Sequence, residues 1–481
     1  MNRYITLFFL LCLGYMAKSQ DEVDALRYSQ EGLSGSARFV AMGGAFGALG
    51  ANASSASHNP AGIVTYTTNE FSGSIGYSNL ETQSHYHSSN TLDQNKTLFL
   101  PNINYVNATV FDPEQVGDWN RINFGIGYNR LNDYNQDIEL YTLQNEHSLS
   151  ESILNAAQGT YYNELNNFRE WLAFDTYLID TLGDGSSYVS NANFTDKSQR
   201  FQSLSSGSKN EFYISFGAAY QNKLFLGATI GFPTINYENS TKITELNEVE
   251  DEQGNTQMEG FSYLTNLKTT GSGINLKLGL IYKINPSIRY GFALHTPTYY
   301  EMEEQYWTSM STNLLNQNSA YKAESNLGVF DYGLYTPFKM TNSFSFVIGK
   351  KAIVSMDYEF LDYTMAKFNS DFFNLSSGNK AIKSNYQSTS NLKIGSEFRI
   401  HPQISLRAGY AKYGSPFNKN LNDASKEYVT MGFGLQVDQY FFDFALVNST
   451  SQEDLYIYDG ANSATIKSEK KQILISAGFK F

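Results

Sequence analysis

Residues 428–437 read YVTMGFGLQV. Met431, Phe433, Leu435 and Val437 alternate with Thr430, Gly432, Gly434 and Gln436. A repeat of two is the period of a β-strand, which sends successive side chains to opposite faces. The pattern recurs upstream. Ile122, Phe124, Ile126 and Tyr128 alternate with Asn123, Gly125, Gly127 and Asn129. Ile274, Leu276, Leu278, Leu280 and Tyr282 alternate with Asn275, Lys277, Gly279 and Lys283, broken only by Ile281. Ile404, Leu406, Ala408 and Tyr410 alternate with Ser405, Arg407 and Gly409. The interleaved residues are too small and too polar to build the second face of a sandwich core. They suit a wet or plugged lumen, with the large residues facing lipid.

About fourteen such segments are expected, near 70–78, 98–108, 120–131, 211–220, 223–238, 263–284, 287–300, 341–349, 352–363, 389–399, 403–412, 428–437, 440–449 and 472–481. Their connections alternate in length. Tight turns are expected at Gln221-Asn222, Asn285-Pro286, Lys350-Lys351, Pro402 and Asp438-Gln439, with a moderate one around Asp112-Pro113. The others are long, at 79–97, 132–210, 239–262, 301–340, 364–388, 413–427 and 450–471. Short turns on one side and long loops on the other mark an outer-membrane barrel, and an even strand count returns both termini to the periplasm. A sandwich array has no reason to alternate in this way. The expected fold is therefore all-β, a transmembrane antiparallel β-barrel.

Composition agrees. The chain has 481 residues, 15% of them aromatic, but only 41% hydrophobic, with a mean hydropathy of −0.38. A membrane barrel combines these traits because alternation keeps every window polar while aromatic girdles mark the interfaces. The net charge of −13 makes nucleic acid an unsuitable partner. Residues 1–19 read as a cleaved signal peptide: Arg3, an apolar run from Ile5 to Leu13, then Ala17-Lys18-Ser19. Cys12, the only cysteine, lies inside that run, so the exported chain has no disulfide, thiol or Cys-ligated metal chemistry. No cofactor is expected. QILISAGFKF at 472–481 ends an alternating strand on Phe481, like the C-terminal signature read by the barrel assembly machinery.

Between the leader and the first strand lies GSARFVAMGGAFGALGANASSASHNPAGIVTY, residues 35–66. Glycine and proline break any long helix or strand here, and small residues leave no core of its own. Yet Phe39, Val40, Met42, Phe46, Leu49 and Ile63 are too regularly placed for a linker. Such a segment suits packing inside something else. Its SAR-x-x-AMGGAF and SHNPAG elements, with Asn59-Pro60-Ala61 just before the first strand, resemble the N-terminal hatch of the FadL/TodX outer-membrane transporters.

That resemblance implies a 14-stranded barrel over 67–481, plugged by a hatch at 20–66. It implies passive, hatch-gated uptake of small hydrophobic molecules, long-chain fatty acid-like, across the outer membrane of a Gram-negative bacterium. Phe39, Met42, Phe46, Asn59, Pro60, Ala61 and Gly62 would bind ligand or gate. Lateral exit would pass the third strand, where Gly125 and Gly127 permit a bulge or close backbone approach. The implied partners are a hydrophobic ligand, outer-membrane lipid and the assembly machinery, with the chain a monomer. The family's relatives also imply alternatives: a barrel scaffold in a secretion or surface assembly, or a haem-type receptor.

Enzyme chemistry is not expected, since neither GxSxG nor HExxH occurs. Of the six histidines, His85 and His87 share a side in an extended chain but sit in a Ser/Asn-rich loop without a third ligand. His58 reads as a hydrogen-bonding plug residue. Glu245, Glu248, Glu250, Asp251 and Glu252 read as a solvated loop run. In 132–210, Ser148-Leu149-Ser150-Glu151 reads as a capping box. Ile153, Leu154, Ala157, Tyr161, Leu165, Phe168 and Leu172 follow at helical spacing, either as a lid or as a docking groove.

Overall fold

The computed structural model describes residues 21–481 except 112–117, 144–146, 193–196, 248–257, 316, 318, 350 and 419–420. The expected signal peptide with Cys12, the Asp112-Pro113 turn, Lys350 and most of the acidic run (Glu248, Glu250, Asp251, Glu252) lie outside the described residues.

Alternation becomes a closed wall of 14 antiparallel strands. They are β1 (Glu70–Tyr86), β2 (Ser89–Val110), β3 (Trp119–Asp133, continued by Gln136–Thr142), β4 (Lys197–Tyr220), β5 (Leu224–Asn247), β6 (Met258–Lys283) and β7 (Ile288–His295, continued by Tyr299–Leu314). Then follow β8 (Gly328–Tyr335, continued by Lys339–Ile348), β9 (Ala352–Asp362), β10 (Ser388–His401), β11 (Ile404–Tyr413), β12 (Lys426–Val437), β13 (Tyr440–Tyr456) and β14 (Ser463–Lys480). Closure is made by β1 against β14, from Glu70↔Lys480 to His85↔Thr465. Asn69 and Phe481 complete it by exchanging two backbone hydrogen bonds at 3.1 Å. A closed sheet leaves no unpaired edge to lipid.

The period-2 pattern points as expected. Ile122, Ile274, Leu278, Leu406, Met431 and Phe433 are exposed on the outer face, while Asn123, Asn275, Lys277 and Arg407 are buried inside. Aromatics gather at the rim that carries Asn69 and Phe481: Trp119 against Tyr220 at 5.4 Å, and Phe71 and Tyr440 about Phe479.

Several expected loops are strands. The 79–97 stretch continues β1 and β2 as a ladder up to Tyr86↔Ser89, turning at His87 with φ +52°. The 239–262 and 450–471 stretches likewise extend paired arms, to Leu246↔Gly260 and Tyr456↔Ser463. On these arms the outer face turns polar, while Ile243, Phe261 and Ile466 on the inner face pack under the loop after β3. Alternation with a greasy outside therefore ends before the strand does.

The loop after β3 folds back over the mouth. Its helix α3 (Leu149–Ala157) ends ahead of Gly159 at φ +81°, and α4 (Glu170–Asp175) starts a second short helix. The continuous helix implied by the spacing is thus broken by a left-handed glycine. Ser148 caps α3 through the Ser150 amide rather than in a box with Glu151. Glu245, expected in solvent, is instead buried on β5 and accepts from the Leu149 amide at 2.8 Å and from Gln199 at 2.7 Å. Leu149, Ile153, Ala157, Leu165 and Leu172 pack with Phe201, Ile243, Phe261 and Ile466 of the inner walls. That apolar face is used against the barrel, as in a lid.

Candidate functional site

The site begins with a proline. Pro101 lies inside β2 and has no amide to donate, so the strand cannot ladder on both sides there. Residues Leu100 and Pro101 bulge against β1, where pairing jumps from Ser74↔Asn102 to Gly76↔Phe99. On the other side, the β2–β3 ladder runs from Val110↔Arg121 up to Asn102↔Asn129 and stops. Above it, among the described residues, the two strands touch through side chains: Arg130 over Phe99 at 5.3 Å, then Asn95 with Asp137 at 3.3 Å. β3 itself bulges at Leu131, between Arg130↔Asn210 and Asn132↔Lys209. The wall therefore has a seam between β2 and β3.

The N-terminal segment fills the lumen behind this seam. Its pieces are short because glycine and proline keep interrupting them: α1 (Glu22–Ser29), α2 (Ala37–Ala41), and 3₁₀ turns at Ala53–Ser57 and Pro60–Thr65. Between α1 and α2 the chain passes the seam, and the Gly32 amide donates to the Leu131 carbonyl at 2.9 Å. The plug thus takes the hydrogen-bonding place that β2 leaves empty.

Polar bolts hold the plug to the walls. Arg38 pairs with Glu397 at 2.9 Å, and Arg407 links Glu397 at 2.7 Å to Asp443 at 2.6 Å. His58 Nε2 lies 2.8 Å from Asp357, whose same oxygen accepts from the Gly47 amide at 2.9 Å. His295 reaches the His58 carbonyl at 2.8 Å. His58 is thus a hydrogen-bonding plug residue.

Asn59 is fully buried and explains its own motif. Its amide nitrogen donates to the Gly47 carbonyl at 2.6 Å and to the Leu280 carbonyl of β6 at 3.1 Å, while its oxygen accepts from Ala61. Pro60 then starts the 3₁₀ turn where its missing amide is harmless. The interleaved strand glycines make room: a Cβ on Gly279 would land on the Asn59 amide oxygen, and one on Gly409 on the Gly43 nitrogen.

Beside the seam lies a cavity of about 110 Å³, lined in part by Leu131, Asn132, Phe39 and Leu33. It sits where β7 and β8 also break, at Thr296–Thr298 and Thr336–Pro337. Arg130, Lys209, Lys277, Lys339, Lys393 and Lys426 reach its wall, against the carboxylates of Glu31 and Glu359. Glu31, from the plug, sits 2.6 Å from Lys339 and 3.8 Å from Lys209. Lys393 pairs with Glu359 at 3.3 Å, and Lys277 with Glu211. Burial works against the Glu31 carboxylate, but Lys339, Lys209 and Lys277 hold it well below the usual carboxylate range.

Of the residues singled out from the sequence, Phe39 lines this cavity, stacked on Phe46 at 5.2 Å. Met42 and Phe46 are buried among Ala445, Val447 and Leu474 of the wall. Asn59, Pro60 and Ala61 pack into the glycine recesses of β5 and β6, and Gly62 lies against Ser55 and Gly50 of the plug, all away from the cavity. Gly125 and Gly127 lie in unbroken ladder, paired with Val106 and Asn104 on one side and Ser215 and Tyr213 on the other. The wall parts beyond them, above Asn129. Sequence reasoning missed Glu31, Pro101 and the lysines. A proline within an alternating strand, and Lys277 on the inward face of one, were the available signals. His85 binds Asn90 at 2.9 Å and His87 occupies the turn.

A closed 14-stranded antiparallel barrel whose lumen is plugged by its own N-terminal segment defines the class, a transmembrane-type β-barrel with an internal plug. Its fold is that of the FadL/TodX channels. It superposes on a Pseudomonas aeruginosa FadL homologue with a TM-score of 0.55 at 10% identity, covering 94% of this chain and 99% of that one. On the Pseudomonas putida toluene transporter TodX the score is 0.53 at 15% identity, covering 94% and 100%. On the monoaromatic hydrocarbon channel CymD it is 0.50 at 13%, covering 93% and 98%. No family model and no curated protein sequence matches the chain.

Proposed function

We propose that this protein is a passive outer-membrane channel for small hydrophobic molecules, long-chain fatty acid-like in the finer reading, gated by its N-terminal hatch. It is exported by a cleaved leader, assembled by the barrel machinery, and carries out no catalysis. The observation that supports this best is the seam: an interrupted β2–β3 ladder, backed by a cavity and closed by plug residues 30–34. The relatives named as toluene and monoaromatic hydrocarbon channels agree with a greasy cargo. A solute reaching the cavity moves down its own gradient, and a shift of residues 30–34 off Leu131 opens a sideways path into the outer leaflet's apolar zone. Exit between β2 and β3 above Asn129 replaces the Gly125–Gly127 path. Release into lipid suits an apolar solute because its transfer out of water is favourable at every step.

The test is uptake of a hydrophobic fluorophore into vesicles bearing the purified barrel, with mass spectrometry of small molecules that co-purify. Uptake above empty vesicles, with a bound amphiphile, supports the channel. A barrel that transports nothing and retains partner proteins supports a scaffold instead.

A further inference from the structure

Buried cations in the middle of the lumen meet carboxylates: Arg407 with Glu397 and Asp443, Lys277 with Glu211, Lys393 with Glu359. A group at the rim that carries Asn69 and Phe481 does not. Arg121 of β3, Lys283 at the end of β6 and Arg289 at the start of β7 make no ion pair among the described residues. Lys283 and Arg289 stand directly opposite each other in the β6–β7 ladder, an unfavourable place for like charges. Lys283 lies over the Phe225 ring at 4.6 Å, within electrostatic reach of Arg121. Arg121 is 7% exposed and donates to the Val64 carbonyl of the plug and to Asn222, each at 3.0 Å. Arg289 donates to the Leu49 carbonyl of the plug at 3.0 Å. The Nε atoms of both guanidinium groups are buried with no hydrogen-bond partner among the described residues. Buried cations with spare donors call for an anion. The turns continue the charge, since Lys223 after β4, Lys351 before β9 and Arg399 near the end of β10 are exposed and make no ion pair among the described residues. Asp118 at this rim is held by Tyr220 and Gln221, Glu70 is buried against Tyr66, and Asp438 stands in the far turn between β12 and β13. A chain of net charge −13 thus carries a basic crescent from β3 to β10 at one end.

We propose that this crescent is a docking site for an acidic segment of a soluble protein, a periplasmic one when this rim faces the periplasm. The inference goes beyond the channel reading and requires no transport. Lipid headgroups would reach Lys223, Lys351 and Arg399 from the membrane side, but not Arg121 and Arg289, which face the lumen and hold plug carbonyls. A single small oxoanion would serve the inner group and leave the turns unanswered. Neighbouring strands lie about 4.8 Å apart, so the arc from β3 to β10 spans roughly 30–35 Å, the reach of about ten extended residues. An acidic segment of that length answers the whole arc. One of its carboxylates enters between the free Nε donors and Lys283, a planar acceptor for planar donors. Its neighbours meet Lys223, Lys351 and Arg399 in the turns. Attraction between the two is long-ranged and weakens with salt.

Fluorescent peptides of that length, repeats of Glu-Ser, Gln-Ser or Lys-Ser, are titrated by anisotropy against the full-length barrel in phosphatidylcholine nanodiscs. Heat-shifted gel mobility confirms that each variant is folded. The Glu-Ser peptide is expected to bind about tenfold more tightly than the Gln-Ser peptide at low ionic strength, and the difference should vanish at high salt. Arg121→Gln with Arg289→Gln should remove most of that preference. Lys351→Gln with Arg399→Gln, in exposed turns that the fold does not depend on, should reduce it about threefold. Equal binding of the acidic and neutral peptides, or acidic binding that neither double variant weakens, overturns the proposal. Inorganic phosphate competing as well as unlabelled Glu-Ser peptide overturns the segment and leaves a small-anion site. Acidic binding that appears only after Asp112→Asn with Glu114→Gln, in the turn at 112–117 outside the described residues, assigns the cations to the barrel's own turn and overturns it too. No peptide binding, with phosphatidylglycerol enriched around the native barrel but not around the Lys351 and Arg399 variant, assigns the crescent to lipid instead.

Discussion

Gly32 of the plug and Leu131 of β3 are joined by one backbone hydrogen bond, amide to carbonyl at 2.9 Å. Leu131 is the bulged residue of its strand, and β2 has already parted from β3 two residues earlier. Plug residues Gln30 and Gly32 therefore stand where the barrel wall lacks a rung, Gln30 through its carbonyl to Asn132 at 3.5 Å.

Locking that contact should close the channel. A Cβ on Gly32 would come within 3.3 Å of the Asn132 side chain. Gly32→Cys with Asn132→Cys, in a chain whose one native cysteine is Cys12, should form a disulfide in the closed state. Fluorophore uptake is expected to fall to that of empty vesicles on oxidation and to return on reduction. Undiminished uptake by the cross-linked protein would place the exit elsewhere.

Replacing the proline should mend the wall. Pro101→Val restores an amide and a β-favouring side chain. Slower hydrogen exchange at residues 100–102 and reduced uptake are expected, whereas Gly125→Ala should change uptake little. Its added methyl group would meet Ile63 at an ordinary 3.6 Å.

Asn59→Ala removes three hydrogen bonds from a fully buried position and leaves the Leu280 and Gly47 carbonyls without that donor. Plug docking should weaken by about 2–4 kcal/mol, since each stranded polar group costs on the order of 1–3 kcal/mol. Gly279→Val should displace the same side chain from the other partner. Both variants are expected to raise single-channel conductance in planar bilayers while the barrel melts as before.

Ile153 of α3 is fully buried under the lid. Ile153→Ala should loosen the lid by about 2–5 kcal/mol, the usual range for emptying a core aliphatic site. Faster protease cleavage near Gly159, with the barrel intact, is the expected signature.

Acid should release the plug. Glu31 is depressed below its ordinary value of 4.5, so its ion pairs stabilise the docked state fully above that value. The contribution disappears as pH falls through the lowered value, when the carboxyl protonates against Lys339, Lys209 and Lys277. Hydrogen exchange of residues 30–34 should speed up in that acidic window in the native protein and stay flat in Glu31→Gln.

The alternation at Met431–Val437 and Ile122–Tyr128, the paired turns and loops, and the glycine-rich segment ending in Asn59-Pro60-Ala61 already specified a plugged barrel from the sequence. They could do so because lipid imposes one physical demand on every strand: a greasy outside and a satisfied backbone. That demand is local and periodic, so it is written in neighbouring residues. The placement of Glu31 against Lys209 and Lys339, and of Gly32 against Leu131, joins residues 99 to 308 positions apart. No period connects them. Only closure of the barrel, with β3's bulge at Leu131 and β2's break at Pro101, brings them together. The same holds for Glu245, a loop charge by its sequence neighbours and a buried helix cap once β5 runs past the membrane to meet α3.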